Sequence, residues 1–98
     1  MADRRLQSRG DLMPEISRFF GIIVTMYYND HLPPHFHVRY NQQKALVSIN
    51  TLEIIAGKLT SRVTKLVTEW ASLHQTELMQ NWELAQTNQP LNKIIPLE

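Results

Sequence analysis

Apolar residues recur along the chain with two different periods, and the change falls near residue 60. Ile22 to Tyr28 (IIVTMYY) is β-branched and aromatic almost throughout and predicts a strand. Glu15 to Phe20 (EISRFF) predicts a shorter one, and Gly21 between them suits the tight turn of a hairpin. From His35 to Tyr40 polar and apolar residues alternate, so a strand there sends Phe36, Val38 and Tyr40 to a core face and His35, His37 and Arg39 to the other. Asn41-Gln42-Gln43 is a polar turn. Lys44 to Ile49 is a further strand with Ala45, Val47 and Ile49 inward. Asn50 to Leu59 either extends that strand or crosses the sheet.

Beyond Thr60 or Ser61, each able to cap a helix, the spacing becomes helical: Val63, Leu66, Val67, Trp70 and Leu73, then Leu78, Trp82 and Ala85. A straight helix from Ser61 to Gln86 would run roughly 38 Å, against about 20 Å for a six-residue strand. It therefore breaks near His74-Gln75 or packs its second half against a partner. The pattern predicts an α+β fold: an antiparallel meander of three or four strands with one long C-terminal helix, continuous or broken, on one face. Residues 1–12 show no periodicity and read as a mobile arm, leaving 13–98 as one domain. Leu91 to Glu98 is a short apolar tail for docking on the body or on a partner, and Trp82 is the better of the two tryptophans for an interface between copies.

Composition narrows the classes. Ninety-eight residues make one modest core. No run of eighteen apolar residues exists, and the polar N-terminus lacks the apolar stretch of a secretory signal. The absence of cysteine removes disulfides, thiolate zinc sites and cysteine nucleophiles, and suits a reducing cytoplasm. A net charge of +1 argues against a general nucleic-acid coat while leaving local contact open. Arg4, Arg5, Arg9, Arg18 and Lys44 form either a loose phosphate-attracting surface or ordinary solvated charge.

The candidate chemistry lies between Tyr27 and Tyr40, where three of the four histidines fall within seven residues. His35 and His37, about 7 Å apart on one strand face, can serve as general acid and general base. With Arg39 to hold a phosphate, and Tyr27 and His31 joining from the preceding strand and loop, the set fits metal-independent RNA cleavage. The same histidines offer a metal site: His31, His35 and His37 with Asp30 or Glu15 as carboxylate ligand. The bland alternative is a solvated sheet face whose histidines do no chemistry. No other cofactor is indicated.

PEISRFFGI, MYYNDHLPPHFHV and the TEWASLH…NWELA helix together resemble a family of short bacterial proteins catalogued as a domain of unknown function. The resemblance runs from Met13 onward. It implies a compact α+β fold, a place in a two-gene module of the toxin–antitoxin kind, and a small cognate protein encoded nearby as partner. The resulting expectation is a toxin-like endoribonuclease of the cytoplasm. The rival is a non-enzymatic, antitoxin-like interaction module.

Overall fold

The computed structural model describes residues 14–98. The arm expected over 1–12 lies outside the described residues. Five strands form one antiparallel sheet in sequence order: β1 (Glu15–Phe19), β2 (Ile22–Thr25), β3 (His35–Tyr40), β4 (Gln43–Ser48) and β5 (Ile54–Lys58). Two helices follow, α1 (Ser61–Leu73) and α2 (Gln75–Gln86). The α+β meander thus stands, with five strands in place of three or four and two helices in place of one.

Local chemistry explains the elements. The β1–β2 hairpin closes through Phe20 and Gly21, both at positive φ (52° and 81°), with Phe19 opposite Ile22. That two-residue mirror-image turn matches the natural twist of the strands it joins. Asn41, at φ 53°, does the same between Tyr40 and Gln43. The strand expected to reach Tyr28 stops at Thr25, because the chain must leave the sheet to enter the Asn29–Pro34 loop. β5 is the additional strand. Four of its five residues are exposed, so it carries little of the apolar alternation that marks a strand. Gly57 fits there because a Cβ would stand against the Lys44 carbonyl oxygen and 2.8 Å from the Ala45 Cα. Thr60 caps α1 through its hydroxyl, which accepts from the Val63 N–H. The helical run is interrupted at His74, whose φ of −129° is not helical.

Ile16, Val24, Phe36, Val38 and Val47 from the sheet bury against Val63, Val67, Trp70, Leu78 and Trp82 from the helices. Full burial is worth about 1.5–3 kcal/mol for each large aliphatic side chain. The C-terminal tail docks on the body. The Ile94 N–H donates to the Ile16 carbonyl (2.8 Å), the Ser17 hydroxyl donates to the Ile94 carbonyl (2.9 Å), and the Trp70 indole N–H donates to the Ile95 carbonyl (2.9 Å). Buried Asn81 clasps both backbone groups of Asn92 at 2.8 and 2.9 Å. Trp82, expected at an interface, is only 5 % exposed. It is part of the core, so an association between copies would have to use other residues, such as the exposed Ile95. Among the described residues no helix is long and apolar enough to cross a membrane.

Candidate metal centre

The alternation of β3 puts His35, His37 and Arg39 on one sheet face, as the pattern predicts, but the three do not form an open row. The loop from Tyr27 to Pro34 folds back over the His35 end of the strand. Its outgoing half is tied to α2: the Asn29 N–H donates to the Ala85 carbonyl (3.2 Å), and the Gln86 side-chain amide donates to the Asp30 carbonyl (3.2 Å). The Ile49 N–H fastens its far end at the Pro34 carbonyl (3.0 Å). His35 therefore sits beneath the loop, with the Trp82 ring 5.4 Å and the His31 ring 5.3 Å from its own. Its side chain is 0 % exposed, so the expectation of a solvent-facing His35 is corrected.

Asp30 is the centre of the cluster. One carboxylate oxygen, Oδ2, lies 2.9 Å from His35 Nε2 and 3.1 Å from His37 Nε2. The other, Oδ1, accepts the His31 backbone N–H at 2.8 Å. Burial pushes the Asp30 carboxyl upward, but the His37 bond, the His31 N–H and the charge on His35 outweigh it and hold the group below the ordinary carboxylate range. Asp30 is therefore an ionised acceptor at neutral pH. Burial likewise holds the His37 imidazole below its ordinary value, opposed by its bond to Asp30 and helped by the charges on His35 and His31. His37 is therefore neutral there.

His35 presents a proton-counting problem. Its Nδ1 lies 2.8 Å from the Pro33 carbonyl oxygen, which can only accept, so Nδ1 carries the hydrogen. A neutral ring then turns the Nε2 lone pair toward an ionised oxygen 2.9 Å away, which is repulsive. A cation must lie between them, either a second proton on His35 or a metal ion. Metal-bound histidines characteristically spend the other ring nitrogen on a carbonyl or carboxylate, which fixes the tautomer and the ring direction. The donor atoms of Asp30, His35 and His37 all lie within 4.8 Å of one another. The edge of a zinc tetrahedron is roughly 3.3 Å, given bonds of about 2.0–2.1 Å. The 2.9 and 3.1 Å separations open by a few tenths of an ångström to match it, and the third edge of the set, within 4.8 Å, must close toward it.

The other expected residues fall around this centre. Tyr27 stacks on His37, with ring centroids 4.2 Å apart and planes 21° apart. His31 is exposed, its Nε2 3.6 Å from Asp30 Oδ1. Glu15, weighed as a ligand, is instead paired with Arg18 at 2.7 Å. Arg39 is exposed one pleat beyond His37, and both line a groove of about 280 Å³ with Tyr27 and Lys44. Two participants went unnoticed in the sequence: the Pro33 carbonyl, which no side-chain pattern reveals, and Trp82 as the cover of His35. A Pro-Pro step two residues before a histidine was the only signal for the first.

One family model, described as "Domain of unknown function (DUF4160)", matches residues 21–83, which span the hairpin end, the whole cluster and most of both helices. No curated protein and no solved structure matches the chain.

Proposed function

The chain belongs to the family described as domain of unknown function DUF4160, and from the geometry of its cluster we propose that Asp30, His35 and His37 hold one zinc-like divalent cation. We further propose that the protein is the RNA-cleaving, toxin-like component of a two-gene module, partnered by a small cognate protein. The observation that carries the reading is His35, whose Nδ1 is committed to the Pro33 carbonyl while Nε2 faces an ionised oxygen at 2.9 Å. A metal requires neutral imidazoles and an ionised carboxylate; His37 and Asp30 are already in those states, and at His35 the metal would replace the proton between Nε2 and the carboxylate. Three protein ligands with the fourth position left to water is the open catalytic arrangement. A metal held this way would lower the pKa of a bound water toward neutrality and so would supply the nucleophile for phosphodiester hydrolysis. Asp30 and His37, with side chains 14 % and 23 % exposed, form the approachable side, and the groove carrying Arg39 and Lys44 opens beside His37.

Metal-independent cleavage is the second reading, favoured by one observation: His37 lines the groove and is held neutral, as a general base needs. Its acid would be the exposed His31, since His35 is sealed. The test is cleavage of a single-stranded RNA by tag-free protein, in chelator and after zinc is added back, with Asp30→Ala and His37→Ala alongside. The metal reading expects loss of cleavage in chelator, recovery with zinc, and no recovery in either variant. Cleavage undiminished by chelator but lost in His37→Ala would establish the second reading instead. No cleavage under any condition would end both and leave a non-enzymatic interaction module.

A further inference from the structure

The sheet face opposite the helices carries an arrangement the metal centre does not use. Across β3, β4 and β5, Arg39 is paired directly with Lys44, and Lys44 directly with Lys58. Direct partners in an antiparallel sheet share a face with Cβ atoms about 4.5–5.5 Å apart, so three cations stand in one cross-strand row. All three are exposed. Strands β2 to β5 contain no aspartate or glutamate, and among the described residues none of the three cations has a carboxylate within ion-pair distance. Arg18, in line with them on β1, is already neutralised by Glu15. Like charges set directly opposite one another destabilise a sheet. A chain of net charge +1 that nonetheless concentrates them here, with its helical acids Glu69, Glu77 and Glu83 elsewhere, is built to meet an anion.

We propose that this face binds the phosphate backbone of single-stranded nucleic acid, RNA in the reading above. Arg39, Lys44 and Lys58 contact successive phosphates, and the strand is led along the groove to Tyr27 and His37. The row crosses three strands, which exceeds the span of a lone phosphate. The groove, about 280 Å³, is walled by Ile23 and Leu46 and ends at Tyr27, 36 % exposed, an aromatic ring on which a base can stack. Sheet faces that combine cations with an exposed aromatic are a recurrent platform for single strands. The inference names the substrate class of the proposed centre and rests on that reading for cleavage only. Binding is measured on metal-free protein, so the two can fail separately.

The experiment follows fluorescence anisotropy of labelled oligouridylate, with oligothymidylate as the DNA arm and poly-glutamate as competitor. It uses the full chain in chelator across a salt series. Three contacts give a log–log salt slope of about −2, and each of Arg39→Gln, Lys44→Gln and Lys58→Gln lowers its magnitude by about 0.7 and weakens binding roughly five-fold at 0.1 M salt. Lys44→Arg and Lys58→Arg restore it, while Lys65→Ala on α1 leaves it unchanged. Equal binding of both oligonucleotides supports backbone recognition, and tighter binding of the RNA supports the reading with its assigned substrate. A slope near zero, indifference to the three glutamine variants in folded protein, or displacement by poly-glutamate as effective as by RNA would overturn it, the last in favour of an acidic protein partner.

Discussion

Replacing Asp30 by alanine separates the two states of the cluster. In metal-free protein the carboxylate is the acceptor for both imidazoles, at 2.9 and 3.1 Å. His35 is sealed, so its Nε2 finds no water in exchange. An unsatisfied buried partner of a charged group costs about 1.5–3 kcal/mol. His37, with a side chain 23 % exposed, recovers most of its loss from solvent. The net destabilisation is therefore about 2–3 kcal/mol, or roughly 8–24 °C in Tm for a domain of this size. Added zinc then widens the gap, because a ligand at 100 times its Kd stabilises the protein that binds it by about 2.7 kcal/mol. The assay is thermal unfolding by circular dichroism of wild type and Asp30→Ala, each in chelator and in buffered zinc. A variant within about 0.5 kcal/mol of wild type in chelator would show that Asp30 does not hold the imidazoles, since that is the ordinary scatter of surface substitutions. An equal zinc-induced rise in both proteins would show that the metal binds elsewhere.

Two further substitutions test the scaffold around the centre. Gly57→Ala must place a Cβ against the Lys44 backbone at a φ of +81°, so urea unfolding should show a loss of more than about 3 kcal/mol, the strained φ alone costing about 1–3 kcal/mol; a loss below about 1 kcal/mol would refute the close approach of β4 and β5. Trp82→Ala should cost about 3–5 kcal/mol and weaken metal binding by uncovering His35, whereas Trp82→Phe should keep most of both; a folded Trp82→Ala protein with unchanged zinc affinity would remove Trp82 from the account.

The parts of the fold that were legible are those set by local periodicity. Alternation placed Phe36 and Val38 inward, and Ala45, Val47 and Ile49 with them. Tyr27, expected to join the histidines from the preceding segment, stacks on His37 although β2 has already ended at Thr25. The helix-length argument offered a break near His74 as one of its two outcomes, and the helix is interrupted there. β5 escaped because four of its five residues are exposed and Gly57 lies within it, so it has no apolar alternation to read. The burial of His35 was illegible for a different reason. Alternation assigns a face, but what covers that face depends on a loop returning over it and on Trp82, forty-seven residues away in sequence and 5.4 Å away in space. The cation row was hidden in the same way: Lys44 and Arg39 were visible singly, but Lys58 joins them only through the register of β4 with β5.

The central claim is that a metal ion can take the place of the proton between Asp30 and His35, and cobalt tests it most directly. Tag-free protein stripped of metal would be titrated with Co²⁺ while the visible d–d absorption is followed. The account predicts an intense tetrahedral-type band that saturates at one equivalent per chain and is lost in His35→Ala and Asp30→Ala. A weak octahedral spectrum without saturation, or a tetrahedral band that survives both substitutions, would contradict it and leave the cluster as a protonated Asp–His network.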